Sequence, residues 1–145
     1  MPTTQVSINA PPEKVFPALS DLTRHAKWSI HNIEIKQLSG NGNVVGSEYS
    51  SGHAGKKGDI VKITKVDPNK TFAFRSAMPN KMEIDHTFNI RPEGTGTRVV
   101  HHMKMTKVPG AMILATPLLK LMIGMAAPGQ DRKFLHNMKV EMEKR

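Results

Sequence analysis

Hydrophobic and polar residues alternate along much of the chain before residue 106. The clearest case is the segment 82–91, in which every second residue is apolar or a histidine and the intervening residues are polar. Successive side chains of a β-strand point to opposite faces, so this pattern predicts a strand with one buried and one solvated face. The buried parity consists of Met82, Ile84, His86, Phe88 and Ile90.

Six further segments are β-branched or alternating and end at turn residues such as Gly, Pro, Asn and Asp. Such segments are typical of strands joined by tight turns. Strands joined in this way form an antiparallel meander with one dry face. The expected positions are residues 3–9, 33–36, 44–52, 59–66, 71–77 and 97–105.

Two short helices are expected between the first two strands. Pro11 or Pro12 opens the first, because the missing proline N–H would have no partner in a first helical turn. Pro17 requires that this helix be short or begin late enough to place the proline in its first turn. Asp21 is a suitable cap for the second helix, which ends at Trp28.

The C-terminal segment has helical rather than strand periodicity. Phe134, Met138 and Met142 recur every four residues, and Leu135 lies on the same side, which predicts a helix with one buried stripe. This helix is the only long apolar element that can cover the dry face of the sheet. The apolar run 111–127 is expected to continue toward it, with a kink at 124–129, and to act as a lid. The fold class is therefore α+β.

Composition sets the broad class of protein. A chain of 145 residues is expected to form one domain, 1–145. The absence of cysteine excludes disulfides and thiolate chemistry, and the first residues lack the pattern of a signal peptide, so a cytoplasmic location is expected. The run 111–127 contains Lys120 and is shorter than the ~20 apolar residues of a membrane span.

The net charge of +9 would suit nucleic acid or an anionic membrane. The basic residues are scattered, and the pair Lys56 and Lys57 has no aromatic neighbour on which a base could stack, so nucleic-acid binding is not expected. Weak contact with an anionic membrane surface stays open, through Lys104, Lys107, Lys120 and the run 111–127.

A cavity between sheet and helix would be lined by the inward-facing residues. A closely packed core without a cavity is the alternative interpretation. The apolar wall would consist of Ile84, Phe88, Met103, Met112, Leu119, Phe134 and Met138.

His86 and His101 are polar residues on the inward parity. Each is a candidate to hydrogen-bond a ligand carbonyl or to act as an acid or base, and the alternative is a hydrogen-bonded core histidine. Trp28 and Tyr49 could orient a ligand at the mouth, although core packing is an alternative role for Trp28. His102 is adjacent to His101 and points to the opposite face, so the two cannot chelate a metal together. Neither a metal site nor a cofactor is expected.

Five stretches of the chain are typical of one superfamily, namely VSINAPPEKVFPALSDLTRHAKWS, VGSEYSS, VKITKVDPNKTFAFR, TFNIRPEGTGTRVVHHMKM and KFLHNMKVEME. Together they resemble the SRPBCC superfamily, and within it the polyketide cyclase/dehydrase-like branch, alongside START lipid-transfer and birch-pollen-allergen-like proteins. The resemblance covers nearly the whole chain in order. It implies a helix-grip fold, in which a curved seven-stranded antiparallel sheet wraps around a long C-terminal helix and leaves an apolar cavity between them.

Three functions are compatible with these residues. The first is binding or carriage of a hydrophobic small molecule such as a lipid, polyketide or aromatic compound. The second is a cyclase or dehydratase in which His86 or His101 removes a proton and Tyr49 polarises a carbonyl. The third is lipid transfer at an anionic membrane. The chain is expected to be a monomer or homodimer.

Overall fold

The computed structural model describes residues 3–29, 33–52, 58–79, 81–108, 110 and 116–144, without the side chains of 116, 119–128 and 130. Seven strands and three helices make up the described chain. In order they are β1 (Thr3–Ile8), α1 (Pro12–Leu19), α2 (Leu22–Trp28), β2 (Glu34–Ser39), β3 (Glu48–Gly52), β4 (Asp59–Asp67), β5 (Thr71–Ala77), β6 (Glu83–Glu93), β7 (Gly96–Lys107) and α3 (Thr116–Glu143).

The strands form one antiparallel sheet in the order β1-β7-β6-β5-β4-β3-β2. The expected meander is confirmed from β2 to β7, and β1 closes the order by pairing with β7. We use "inner face" for the side of the sheet that packs on the helices. Phe88 and Ile90 of β6 and Val99 and His101 of β7 are all buried on it, as their parity predicts.

The two short helices also follow the sequence. α1 has Pro12 at its start, and it tolerates Pro17 because it is only eight residues long. Asp21 caps α2, since its carboxylate accepts a hydrogen bond from the Thr23 backbone N–H at 3.1 Å. The expected cap and the expected end of α2 at Trp28 are confirmed.

One strand begins later than predicted. The sequence suggested a strand from residue 44, yet β3 starts at Glu48, and Val44 and Val45 are exposed. Gly40, Gly42 and Gly46 all have positive φ angles, which turn the chain out of the extended conformation before β3. The prediction for residues 44–47 was therefore wrong.

α3 is one continuous helix through Pro128 and Gly129, so the expected continuation of the C-terminal helix is confirmed, whereas the kink and the lid stay predictions. Leu135, Met138 and Met142 are at most 5% exposed and belong to the main core. Near its end α3 is also tied to the chain after β1, because Glu143 accepts a hydrogen bond from the Asn9 N–H at 2.9 Å. These contacts fix the helix over the inner face of the sheet.

Candidate functional site

A cavity of about 290 Å³ lies between the inner face of the sheet, α2 and α3. This volume is at the lower end of the ~300–1,000 Å³ common for ligand pockets. A small molecule of one to three rings is the size that such a space holds. The lining residues are Leu22, His25, Ser29, Ile33, Ile35, Ser51, Asp59, Val61, Phe74, Ser76, His86, Phe88, His101, Met103, Asp131 and Phe134.

Four side chains form a chain of hydrogen bonds that joins α3 to the sheet. Nδ1 of His101 lies 2.6 Å from Oδ1 of Asp131, and Nε2 of His101 lies 3.1 Å from Nδ1 of His86. The hydroxyl of Thr4 donates to the other oxygen of Asp131. His101 and Asp131 are 4% and 8% exposed, so their hydrogen bond is shielded from solvent.

The hydrogen-bond acceptors among these four side chains indicate where the protons lie. With the Asp131 carboxylate as acceptor, one oxygen takes the Thr4 hydroxyl and the other takes an N–H at Nδ1 of His101. In the tautomer in which His101 carries only this proton, Nε2 of His101 accepts and Nδ1 of His86 donates to it. Nε2 of His86 is left with a free lone pair.

The lone pair of His86 faces the cavity. No buried side-chain nitrogen or oxygen in the described part of the chain lacks a hydrogen-bond partner. Because the described residues offer no partner to Nε2 of His86, this atom is open to the space that the His86 side chain lines. A ligand hydroxyl or N–H can donate to it there.

The two histidine rings are held by stacking. The ring of His101 is parallel to that of Phe88, with centroids 4.1 Å apart, and the ring of His86 stacks on Phe74 at 4.7 Å. The pKa of His86 is lowered to about 3, mainly by burial and to a smaller extent by the nearby His101 and His25 side chains. His86 is therefore a neutral, pre-oriented acceptor at neutral pH.

A third histidine, His25 of α2, closes the cavity from the helical side. Its Nε2 lies 2.7 Å from the carbonyl oxygen of Leu19, and its ring contacts the rings of Phe74, Phe88 and Phe134. Burial lowers the pKa of His25 to about 4, although the Leu19 hydrogen bond opposes this shift. His25 is likewise neutral at pH 7.

A separate polar pair lies where β4 begins and β5 ends. The hydroxyl of Ser76 donates to Oδ2 of Asp59 at 3.0 Å, and both residues line the cavity. Burial raises the pKa of Asp59, and the hydrogen bond from Ser76 partly offsets the rise. Asp59 and Ser76 therefore add a polar group to the cavity wall that is separate from the Asp131–His101–His86 chain.

The structure brings five of the sequence-predicted site residues to the cavity, namely His86, Phe88, His101, Met103 and Phe134. Both histidines are within hydrogen-bonding distance of each other, which parity alone did not indicate. Met112 lies outside the described residues, as does the side chain of Leu119.

Four predicted residues are buried elsewhere among the described residues and do not belong to the cavity lining. Trp28 is 1% exposed, and its Nε1–H donates to Glu141 of α3. Met138 is fully buried in the main core, and Ile84 packs with Met82 and Met105 in a smaller cluster.

Tyr49 is the fourth. Its side chain is buried, but the hydroxyl donates to the loop before β3, to the carbonyl of Gly42 at 3.2 Å and to Asn43. A tyrosine engaged there does not reach a ligand carbonyl in the cavity. The carbonyl-polarising role suggested for Tyr49 is therefore not supported by its position.

Sequence reasoning missed six polar residues of the cavity, namely His25, Ser29, Ser51, Asp59, Ser76 and Asp131. A signal existed for Asp131, since it precedes Leu135, Met138 and Met142 by four, seven and eleven residues and so lies on the same helical stripe. An aspartate on a buried stripe requires a partner, and here the partner is His101.

Among the residues that the structure describes, no group of three His, Asp or Glu side chains is arranged to hold a metal ion. Lys104 and Lys107 are exposed on β7, whereas residues 111–115 and the side chain of Lys120 lie outside the described part of the chain, and the membrane contact stays a prediction. No helix in the described ranges combines the length and apolar character needed to cross a membrane.

Comparison with known proteins agrees with this architecture. Residues 2–143 match the family described as "Polyketide cyclase / dehydrase and lipid transport". Among curated proteins, none matches the sequence.

Three solved structures illustrate the shared fold. CV1439 from Chromobacterium violaceum is 17% identical, with a TM-score of 0.65 and 99% of both chains covered. The Aha1 dimer from Colwellia psychrerythraea is 26% identical, with a TM-score of 0.60 over 97% of this chain and 94% of that one. DynU16, from the dynemicin biosynthetic locus, is 16% identical, with a TM-score of 0.62 over 98% of this chain and 46% of that one. The match along residues 2–143, together with the seven-stranded sheet around α3, shows that the chain belongs to the polyketide cyclase/dehydrase and lipid transport family, within the SRPBCC superfamily that its sequence resembles.

Proposed function

We propose that the protein binds an apolar small molecule in the cavity between the sheet and α3, and that His86 orients it. The observation that carries this proposal is the hydrogen-bond chain from Asp131 through His101 to His86, which ends in a free acceptor on a largely apolar wall. A pocket with few, fixed polar groups is the usual form of a small-molecule site. The family's association with polyketides and lipids supports the same class of ligand.

Filling the cavity tests the proposal. Ser51 of β3 lines the cavity, whereas Ser50 has the opposite parity and pairs with the exposed residues Lys36 and Ile60 on the outer face. Ser51→Phe should block the space, and Ser50→Phe adds the same ring to the same strand without touching it. Calorimetric titration with naphthol as probe should show binding to the wild type and Ser50→Phe.

Ser51→Phe should not bind the probe. A ligand at ~100 times its Kd stabilises the folded state by ~2.7 kcal/mol, so the melting temperature of the first two proteins should rise with naphthol while that of Ser51→Phe stays constant. Equal binding by both phenylalanine variants would place the ligand elsewhere and remove the proposal.

Acid–base catalysis is the second candidate function, and the Asp131–His101–His86 chain favours it. A carboxylate that orients an imidazole, which in turn contacts a second imidazole, resembles the arrangement used to position a general base. The pKa of about 3 for His86 weighs against it, because a base works best with a pKa near the working pH. Ligand binding is therefore the better-supported function.

Proton exchange separates the two functions. β-Tetralone is an apolar ketone with an activated methylene, and its deuterium uptake in D₂O can be followed by NMR. An enzyme of this kind should accelerate the uptake, and His86→Gln should reduce the acceleration by ~10²- to 10⁴-fold. His102→Gln, an exposed residue on the outer face, is the matched control. Exchange at the buffer rate with wild-type protein would exclude this activity for β-tetralone.

A further inference from the structure

The polar atoms that the described cavity residues leave free include three acceptors. The carbonyl of Leu19 can only accept, so Nε2 of His25 carries the proton of this neutral ring and Nδ1 has a lone pair. No described group bonds Nδ1 of His25, and no buried nitrogen in the described ranges is without a partner, so this atom opens to the cavity. With Nε2 of His86, it makes two acceptors.

Asp59 supplies the third acceptor. Its Oδ2 accepts the hydroxyl of Ser76, while Oδ1 has no partner among the described residues. Ser76 pairs with Ile84 and Phe74 with His86, so Ser76 and His86 are diagonal neighbours on the inner face. Asp59 lies one strand further, on β4, so at least two strand spacings, about 9.5 Å, separate the positions of Asp59 and His86. A flat bicyclic frame with a hydrogen bond of ~2.8 Å at each end bridges a separation of that order.

The charges around the cavity exclude one class of ligand. Neither lysine nor arginine occurs among its described lining residues, whereas Asp59 and Asp131 both do. A ligand carboxylate placed there would lose its hydration and meet no cation, which is strongly unfavourable. The neutral forms of His25 and His86 give it no positive partner either.

We propose that Asp59 and Ser76 form a second polar subsite, and that the cavity selects uncharged apolar molecules with two hydrogen-bond donors, one directed to His86 and one to Asp59. This inference rests on the proposed function and adds the chemistry of the ligand to it. A molecule with hydroxyl or N–H groups at opposite ends of a flat frame satisfies both subsites. Fatty acids and other carboxylates are rejected.

Four probes with one ring system test the selection by calorimetric titration. They are naphthalenediol with hydroxyls at opposite ends of the rings, naphthol with one hydroxyl, the dimethyl ether of the diol, and the dicarboxylate with the same substitution. Each hydrogen bond from a ligand hydroxyl to the site should contribute about tenfold in affinity. The diol should therefore bind about tenfold more tightly than naphthol and about a hundredfold more tightly than the ether, and the dicarboxylate should not bind.

Asp59→Leu assigns the second subsite, because leucine has a similar shape and no hydrogen-bond acceptor. The variant should lower the affinity for the diol about tenfold, to that of naphthol. Asp67→Leu is the matched control, since Asp67 lies at the other end of β4, ~26 Å away along the strand, and does not line the cavity.

The possible failures are distinguishable. If naphthol binds but the ether or the dicarboxylate binds as tightly as the diol, the selection for donors is overturned and ligand binding stands. The second subsite is overturned if Asp59→Leu and Asp67→Leu have the same affinity for the diol. If none of the four probes binds, the proposed function itself is overturned.

Discussion

α3 covers two regions that differ in how their side chains meet. In the packed half, Leu135, Met138 and Met142 close against apolar residues such as Ile8 and Val99, and each of these side chains is at most 5% exposed. Here the apolar side chains of helix and sheet interlock as in a close-packed core.

In the cavity half, one turn earlier along α3, the same helix presents Asp131 and Phe134. The facing strands present His86 and His101 instead of aliphatic residues, and about 290 Å³ stays unfilled. Hydrogen bonds and ring stacking hold these groups in place where packing does not. The comparison indicates that the packed half stabilises the fold, whereas the cavity half contributes less stability and leaves space and polar groups for binding a ligand.

Truncating a methionine in each half should show the largest difference. Met138→Ala removes a fully buried side chain from the packed half and should lower the free energy of unfolding by ~2–5 kcal/mol. Met103→Ala makes the same change on the cavity wall, where the side chain already borders open space, and should cost less than ~2 kcal/mol. Urea unfolding of both variants measures the difference. Equal losses would show that the two halves are packed alike.

The buried carboxylate of the cavity half is the next test. Asp131→Ala leaves the His101 N–H and the Thr4 hydroxyl without their acceptor, so it should lower the free energy of unfolding by ~1–3 kcal/mol. Asp131→Asn keeps an acceptor for His101 and should cost less. Denaturant unfolding compares the two variants. A larger loss for asparagine than for alanine would contradict the assigned hydrogen bonds.

The two halves should also differ in their response to pH. Unfolded histidine has a pKa of about 6.5, whereas burial lowers the pKa of His25 to about 4 and that of His86 to about 3. Between pH ~6.5 and these lowered pKa values the unfolded chain binds more protons than the folded chain. The contribution of the two histidines to the free energy of unfolding is therefore complete above pH ~6.5 and is lost as the pH falls toward 4. The Asp59 carboxyl, with its raised pKa, acts in the opposite direction at the acidic end.

His25→Gln isolates one contribution to this pH dependence. Its amide can still donate to the Leu19 carbonyl, but it does not titrate, so the slope of unfolding free energy against pH between ~6.5 and 4 should fall by up to ~1.4 kcal/mol per pH unit. The exposed residue His136 provides the control variant His136→Gln, which should keep the wild-type slope. Unfolding curves at several pH values give both slopes. An unchanged slope for His25→Gln would show that His25 is not buried as a neutral ring.

The sequence predicted the packed half more fully than the cavity half. Period-two and period-four patterns depend only on which face a side chain occupies, and they were sufficient to identify Phe88, Met138 and the buried parity of β6 and β7. The late start of β3 was missed because glycine conformations, rather than hydrophobicity, determine where that strand begins.

Predicting the cavity half requires the pairing of distant residues. The contact between His86 and His101 depends on the register of β6 against β7, and the partner of His101 lies 30 positions later on α3. Parity correctly placed Tyr49 on the buried face but did not indicate that its hydroxyl turns to Gly42. A side chain's face can be derived from local sequence, whereas the group it contacts depends on how the elements dock.

The smallest effect is expected on the outer face of the sheet, opposite the cavity. Arg75 and Asp85 form a two-point ion pair there, with distances of 2.7 and 3.1 Å, directly behind the region of Phe74 and His86. Their side chains are 44% and 33% exposed, so water and salt screen the pair. Asp85→Asn should lower the free energy of unfolding by only ~0.2–1 kcal/mol, and the loss should shrink in high salt.

The same aspartate-to-asparagine change at Asp131 provides the comparison, measured by urea unfolding in low and high salt. Its loss of unfolding free energy should be the same at both salt concentrations, because the Asp131 carboxylate is shielded from the solvent. A salt-sensitive loss at Asp131 would mean that the cavity half is open to bulk water, and the contrast between a buried chain of hydrogen bonds and an exposed ion pair on the same strands would then fail.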